Sequence, residues 1–363
     1  MCYNKKCEAI ILKNVIKHRQ HYVFQAYLQN WSENNQIWCC RNKQKCFRTN
    51  TINIAQERDF YKIKELNIDE EKFIMLFLNK QPTNNIEIMR RQMETYEKPL
   101  SWQKTVNSIV TIIKTKIYKD RPIPRKVEDL LNSIIEVSKS AINDMVEELY
   151  CDDESELIKM INLLEMNNLD FYYNPYSCSD VFFENSRLAF LYYLCSQHYR
   201  TKAARVRLAK GLSNLLENNN LSKFNINKNN ICPENLAHHI FWYIECILSD
   251  KLYNKNAHLT LLLNHTNIPF LASDQPIINI LADYQSFTDE VSDLIFYYPI
   301  SPKIAITVND KNNFERYELN ESEVELFNQK LIAASYEYVF SNSEECLTKY
   351  FSLPREESNI NAT

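Results

Sequence analysis

The sequence predicts an α+β protein, with helices in the middle of the chain and strands near both ends. Apolar residues recur at helical spacing through residues 69–216. Short β-branched and aromatic runs, separated by turn residues, fill the last third of the chain. We therefore expect an N-terminal helix and β-hairpin, a large central helical region, and a small, mostly antiparallel sheet in the C-terminal third.

The length of 363 residues is enough for one large domain or for two ordinary ones. We divide the chain into a basic N-terminal segment with a helix and a hairpin (1–65), a helical region (66–225), and a helix followed by the sheet (226–355). These segments are predicted to pack as one compact unit or as two intimate lobes.

Two elements are predicted in the N-terminal segment. The first is a short amphipathic helix, whose apolar positions are Val23, Phe24, Tyr27, Leu28 and Trp31. The second spans residues 36–50, where two short runs flank the polar sequence RNKQK. Such a pattern is typical of a β-hairpin.

The middle segment is predicted to be helical. A helix near residues 102–118 ends at the sequence RPIPR, because proline cannot continue it. Residues 127–150 and 154–166 have the spacing of two core-facing helices. We interpret the acidic run at residues 152–154 as the N-terminus of the second, where negative charge favours the helix dipole. Residues 180–216 are expected to form a central helix, either continuous or broken.

In the last segment, Pro233 suits the start of a helix over residues 233–250. Five short runs then predict strands, near residues 268–273, 276–280, 295–301, 303–308 and 336–341. One more helix, over residues 322–335, precedes the last strand.

Glycine occurs once in the chain, at Gly211. Phosphate-binding loops, dinucleotide-binding motifs and nucleophile elbows all need glycines where the backbone approaches a ligand closely. The sequence therefore excludes these motifs, and we expect no nucleotide cofactor. Turns must come from asparagine, which tolerates the left-handed region of backbone conformation, and from proline and aspartate.

Charge is distributed unevenly along the chain. Residues 1–50 contain nine Lys and Arg against two acidic residues, which gives this segment a charge of +7. Because the whole chain carries −4, the remainder carries −11. A basic segment of this kind is most often a solvated edge, but it also predicts nucleic acid as a partner.

Neither a membrane span nor a secretion signal is predicted, because no apolar run reaches about 20 residues. Eleven cysteines, an odd number in a long chain, favour reduced thiols. We therefore expect a cytoplasmic protein with no membrane partner. Cys2, Cys7, Cys39, Cys40 and Cys46 are enough to ligate zinc, but they include no Cys-x-x-Cys pair, so we assign no metal ligands.

Six short blocks carry a resemblance to a known family. They are Arg19 to Val23, Asn53 to Tyr61, Gln197 to Thr201, Phe270 to Pro276, Pro299 to Pro302, and Asn328 with Val339 to Ser341. In this order they resemble an uncharacterised bacterial family, domain-of-unknown-function family 4238. The sequence departs from the family pattern at Phe24, Lys202 and Gln275, none of which replaces an ionisable residue. The resemblance implies a shared fold and shared candidate positions more than a function.

The polar residues within these blocks define a candidate site. Gln197 and Arg200 are three residues apart and share one face of a helix that is otherwise apolar. A buried arginine needs a partner, and Asp274, at a strand end, is the expected one. We expect His21 to act as general acid or base and Arg200 to stabilise negative charge, while Asp274 orients one of them or holds a divalent metal.

Gln197 completes the predicted catalytic set, and four further residues are expected to bind substrate. These are Arg19, Tyr22, Thr201 and Ser301. The predicted function is that of a hydrolase acting on phosphodiesters, either a nuclease or a toxin-like effector. The alternative is a non-catalytic module that binds nucleic acid or protein, in which the polar residues form a structural network.

Overall fold

A computed structural model describes residues 16–79, 83–176, 185–284, 293–311 and 314–351. From residue 16 onward, the N-terminal segment contains four strands and one short α-helix. These are β1 (Arg19–His21), α1 (Gln25–Gln29), β2 (Gln36–Arg41), β3 (Lys45–Asn50) and β4 (Gln56–Arg58). Strands β2 and β3 form the predicted hairpin, and β1 pairs antiparallel with β4.

The middle of the chain is helical, as predicted. Its helices are α2 (Ile68–Leu78), α3 (Thr83–Ile112), α4 (Arg125–Glu165), α5 (Asp170–Tyr173), α6 (Ser186–Tyr199) and α7 (Lys202–Asn218). A π-helical turn, Ile113–Ile117, follows α3.

The last part of the chain begins with helix α8 (Pro233–Asn254) and continues mainly as strands. These are β5 (His258–Asn264), β6 (Ala272–Ser273), β7 (Ile278–Asn279), β8 (Phe296–Pro299), β9 (Ile304–Asn309), β10 (Arg316–Leu319) and β11 (Tyr338–Ser341). Helix α9 (Glu321–Ala334) precedes β11, and α10 (Glu344–Phe351) follows it.

Two larger sheets organise these strands. One has the order β10-β5-β9-β8-β7, in which only the β10–β5 pair is parallel. The other has the order β3-β2-β11-β6. Strand β11 therefore joins the N-terminal hairpin instead of the C-terminal sheet. The α+β prediction is confirmed, and this sheet unites strands from the first 50 residues with strands from the last third of the sequence.

The prediction of two separate helices between residues 127 and 166 was wrong. Helix α4 is continuous, and the acidic run 152–154 lies in its interior. No proline or glycine interrupts the chain at this point, so nothing in the sequence ends the helix. The carboxylates of this run are consequently free to face the core of the protein.

The predicted central helix is broken into α6 and α7 at Arg200 and Thr201. Thr201 leaves the helical conformation, and its hydroxyl accepts a hydrogen bond from the Ala204 N–H at 3.1 Å. This is the geometry of a helix N-cap. The break turns the chain directly after Arg200.

The main hydrophobic core contains residues from all three segments of the chain. Trp31 is fully buried in it, and its indole N–H donates to the carbonyl of Phe270 at 2.8 Å. Tyr27 stacks on Tyr298 of β8, with 5.1 Å between the ring centroids. These contacts fix the N-terminal segment against the C-terminal sheet.

Asparagine supplies most of the left-handed turns, as predicted. Positive φ angles occur at Asn34, Asn35, Asn42, Lys43, Ala55, Asp59, Asn167, Asn225 and Asn256 among the described residues. Asn256 ends α8 in a Schellman motif: its N–H donates to the Tyr253 carbonyl at 3.0 Å, and the Ala257 N–H donates to the Leu252 carbonyl at 2.9 Å.

The left-handed conformation at Asn256 leads to a prediction. Asn256→Ala should lower the free energy of unfolding by about 1 kcal/mol, because alanine tolerates positive φ poorly, while Asn256→Gly should be near neutral. Urea unfolding followed by circular dichroism measures both variants. Equal losses for Ala and Gly would show that the asparagine side chain matters here and not the backbone angle.

Candidate functional site

Arg200 follows α6 and has a side chain that is 0% exposed. Its Nη2 donates to Oε1 of Glu154, and its guanidinium lies over the ring of Tyr150, 4.8 Å from the centroid. Burial alone would lower the pKa of Arg200, but Tyr61 and Glu154 raise it, and the net shift is upward. Arg200 is therefore charged, and Glu154, not Asp274, is its partner.

Two other nitrogen atoms of this guanidinium lack partners. Both Nε and Nη1 of Arg200 are buried and make no hydrogen bond within the described part of the chain. A buried guanidinium has five N–H donors, and each one that is left unpaired costs free energy. These donors would pair with a hydrogen-bond acceptor placed beside Arg200.

Helix α4 supplies the acidic side of the site. Glu147, Tyr150 and Glu154 are spaced by three and four residues and so lie on one face of the helix. Burial raises the pKa of Glu147 to about 7, although Arg200 opposes this shift. Burial raises the pKa of Asp153 to about 7 as well, again against Arg200. Near neutral pH each of these carboxyl groups is partly protonated.

His21 approaches Arg200 from the end of β1. Its ring interacts with the backbone of Ile52, and Nε2 is buried without a hydrogen-bond partner among the described residues. Burial lowers the pKa of His21, and the charge of Arg200 lowers it further. The imidazole is thus neutral at neutral pH. The backbone N–H of His21 also interacts with Glu147 and opposes the rise in the pKa of that carboxyl group.

Glu245 of α8 is fully buried, and neither of its carboxyl oxygens has a partner in the described ranges. Burial raises its pKa well above the usual value, and the nearby Asp153 raises it further. Glu245 is therefore neutral.

We call the group formed by His21, Glu147, Asp153, Glu154, Arg200 and Glu245 the Arg200 centre. Its arginine is buried, whereas Glu154 is 15% exposed and lies towards the surface.

Asp274 belongs to a different network. Its carboxylate accepts the backbone N–H groups of Tyr336, Glu337 and Tyr338 at 2.9, 2.6 and 3.0 Å. Burial raises the pKa of Asp274 to about 6, and the three N–H groups oppose this shift. The expected pairing of Asp274 with Arg200 was wrong, because this carboxylate is used to anchor the chain that enters β11.

Thr201 and Gln275 extend this network. Besides capping α7, the Thr201 hydroxyl donates to Oε1 of Gln275 at 2.8 Å. Nε2 of Gln275 donates to the carbonyls of His198 and Ile277, each at 2.9 Å. We call Thr201, Ser273, Asp274 and Gln275 the Asp274 connector. It joins the α6–α7 break to the sheet with the order β3-β2-β11-β6.

The other predicted residues lie in several places. Tyr22 is buried, contacts Phe60 with ring centroids 5.2 Å apart, and has its pKa raised by burial and by nearby Asp274. Gln197 is buried on α6, one turn before Arg200. Ser301 lies in the β8–β9 turn, where its N–H donates to the Ile304 carbonyl at 3.0 Å. Arg19 is exposed on β1, opposite Arg58.

Neither a metal site nor a membrane span was found in the described ranges of the chain. Among the residues that the structure describes, no group of three or more His, Cys, Asp or Glu side chains has an arrangement that could hold a metal ion. Within the same part of the chain, no helix is both long and apolar enough to cross a bilayer. Cys2 and Cys7 lie outside the described residues.

Comparison with known proteins identifies the family. A family model described as "Protein of unknown function (DUF4238)" matches residues 19–345. The chain belongs to the DUF4238 family. The family resemblance inferred from the short sequence blocks is thereby confirmed, and the match includes every residue of the Arg200 centre. No match was found among curated proteins, and none among solved structures.

Sequence reasoning missed the acidic half of the DUF4238 protein's Arg200 centre. Glu147 and Glu154 are seven residues apart, which places both on the buried face of a continuous helix. That spacing could have indicated that both carboxylates belong to one site. We missed it because we assumed that a helix begins at residue 152. Glu245 was harder to predict as a site residue, because it is a single acidic residue within an apolar stretch of α8.

The hydrogen bonds of Asp274 predict that it is structural. Asp274→Asn should lower the free energy of unfolding by roughly 2–4 kcal/mol, because an amide nitrogen would face backbone donors in place of one carboxylate oxygen. Urea unfolding measures the change. Asp310→Asn, at an exposed pair with Lys255, is the control and should change stability by about 0.5 kcal/mol or less. A small change for Asp274→Asn would contradict the structural role.

The raised pKa of Glu147 predicts a pH dependence of stability. Between its usual value of 4.5 and the folded value of about 7, the folded protein binds this proton more tightly than the unfolded chain, so stability falls as pH rises. Glu147→Gln removes that loss. Its stability relative to wild type should increase across this range, by on the order of 2 kcal/mol.

Thermal unfolding between pH 4.5 and 8 measures this difference. Glu148→Gln is a matched control, because the neighbouring Glu148 pairs with Lys17 at 2.5 Å outside the Arg200 centre. Parallel pH profiles for wild type and Glu147→Gln would show that Glu147 titrates normally.

Proposed function

We propose that the protein is a hydrolase acting on a phosphodiester-containing substrate, with its chemistry at the Arg200 centre. The observation that carries this proposal is the set of unpaired polar atoms there. Nε and Nη1 of Arg200 and Nε2 of His21 are all buried without partners among the described residues. Arg200 also lowers the pKa of His21 through its charge, so the two side chains influence each other electrostatically.

The donors of Arg200 favour an anionic substrate. Guanidinium N–H groups form their strongest hydrogen bonds with phosphate or carboxylate oxygens. Glu154 already occupies Nη2, so the two remaining nitrogens are those available to a phosphoryl group. In a site shielded from water such donors stabilise charge that develops in the transition state.

The surrounding carboxyl groups do not prevent anion binding when they are protonated. Glu245 is neutral, and the pKa values of Glu147 and Asp153 are raised to about 7 by burial. Below this pH the Arg200 centre approaches zero net charge or becomes positive. Substrate binding is therefore expected to strengthen as pH falls below 7.

His21 and Glu147 form an acid–base pair with suitable protonation states. Neutral His21 takes a proton from water through Nε2 as the water oxygen attacks phosphorus. Protonated Glu147 gives its proton to the leaving oxygen as the phosphorus–oxygen bond breaks. Environments that move the pKa of a histidine down and that of a carboxyl group up are typical of such pairs. Asp274 has no role in this assignment.

Two exposed arginines lie on the strand pair that contains His21. Arg19 and Arg58 are opposite each other in the β1–β4 pair, and His21 follows Arg19 by two residues on the same strand. Alternate residues of a strand face the same side, so Arg19 and His21 share a face. This arrangement favours a substrate whose backbone continues beyond the reacting phosphate, as a nucleic acid does.

The complete burial of the Arg200 side chain also supports a second candidate function. In that case the protein is a non-catalytic module that binds nucleic acid or protein, and the Arg200–Glu154 pair holds α4 against the α6–α7 break. Removing one partner of a buried ion pair is strongly destabilising, which is consistent with a structural role.

The two candidates differ in a cleavage assay. End-labelled single-stranded RNA and DNA, with and without Mg²⁺ or Mn²⁺, should be cut by the wild-type protein, with highest activity between the lowered pKa of His21 and about pH 7. His21→Asn, Glu147→Gln and Arg200→Lys should each reduce the rate by a factor of about 100 or more.

His18→Asn and Glu148→Gln are the matched controls. His18 bonds Asp59 at 2.6 Å and Glu148 bonds Lys17, so both lie beside the site but outside it. Their activity should equal that of wild type. If the folded wild-type protein binds the oligonucleotides but does not cleave them, the non-catalytic module is favoured. If it neither binds nor cleaves them, a nucleic-acid substrate is rejected.

A further inference from the structure

Cys40 and Cys46 are directly opposite each other in the β2–β3 hairpin. Residues paired in this way in an antiparallel sheet have Cα atoms about 4.5–5.5 Å apart. A disulfide bond spans Cα distances of about 4.4–6.8 Å. The backbone of the hairpin therefore already has the spacing that a disulfide between these two residues requires.

The side chains of the pair are also in contact. The Cys46 thiol raises the pKa of the Cys40 thiol, and both side chains pack against the second hydrophobic cluster, which contains Phe270, Leu331 and Val339. Cys40 is fully buried, whereas Cys46 is partly exposed. Cys39 faces the main core on the other side of the sheet and is opposite Phe47.

We propose that Cys40 and Cys46 form an oxidation site, at which a hydroperoxide converts the two thiols into a disulfide. The thiolate of Cys46 attacks one peroxide oxygen, the oxygen–oxygen bond breaks, and a sulfenic acid forms with release of hydroxide, which takes up a proton. The Cys40 thiol then attacks the sulfenic sulfur and water leaves. In total, two thiols and one hydrogen peroxide give one disulfide and two waters.

The solvent exposure of the two thiols determines which cysteine reacts first with the peroxide. The first step needs a thiol that solvent can reach, and only Cys46 of the pair is partly exposed. The second needs a partner that is already in place, which Cys40 provides. Oxidation at this site is independent of the proposed hydrolase activity, because neither cysteine belongs to the Arg200 centre.

Peptide mapping tests the proposal. The reduced full-length protein is treated with hydrogen peroxide, blocked with N-ethylmaleimide and digested with trypsin without reduction. Trypsin cleaves after Arg41, Lys43, Lys45 and Arg48. The expected product is therefore a disulfide-linked pair of peptides, one ending in Cys39-Cys40-Arg41 and the other being Cys46-Phe47-Arg48.

Single variants assign the bond. Cys39→Ala should retain the linked peptides, while Cys40→Ala and Cys46→Ala should each reduce their yield at least about tenfold. Cys46 is partly exposed, so Cys46→Ala keeps the test valid even if Cys40→Ala does not fold. Loss of the link in Cys39→Ala, pairing of Cys46 with any other cysteine, or oxidation of Cys46 to sulfinic acid without a link would overturn the proposal.

Discussion

The buried ion pair between Arg200 and Glu154 is the interaction on which the arrangement of this protein depends. It connects the interior of α4 to the point where α6 ends and α7 begins. An unpaired arginine at this depth would be strongly destabilising, so the position of α4 is fixed by the need to satisfy it. His21, Glu147 and Glu245 all lie within the field of this charge, and their proton affinities are set by the same burial that encloses the arginine.

Arg200 and Thr201 are adjacent in sequence, yet they belong to networks with different properties. The Asp274 connector is satisfied: each of its carboxylate oxygens accepts backbone N–H groups, and its amide and hydroxyl groups bond one another. Among the residues that the structure describes, the Arg200 centre retains unpaired donors and acceptors. Stable folds tolerate few such atoms, and each one calls for a partner such as an ordered water, an ion or a ligand. This contrast is why the proposed chemistry is assigned to one side of the helix break and the architecture to the other.

Much of the fold could be predicted from local pattern. The hairpin at residues 36–50, the helical middle and the asparagine turns follow from periodicity and backbone preferences that act over a few residues. The partner of Arg200 could not be predicted in this way, because Asp274 and Glu154 are both acidic and both lie far from Arg200 in sequence. Choosing between them requires knowing that three backbone N–H groups already satisfy Asp274. Likewise, the placement of β11 beside β2 depends on long-range pairing, which no local pattern contains.

The pairing of β2 with β11 also affects how the chain folds. Arg41 and Glu337, which form an ion pair across these strands, are 296 residues apart. During synthesis, the β2–β3 hairpin leaves the ribosome long before its neighbouring strand exists, so one edge of β2 stays without its native partner until almost 300 further residues have been made. Pairings this distant slow folding and leave strand edges open to misassociation. Cotranslational folding of this protein should therefore begin with the local helices and finish only when β11 closes the sheet.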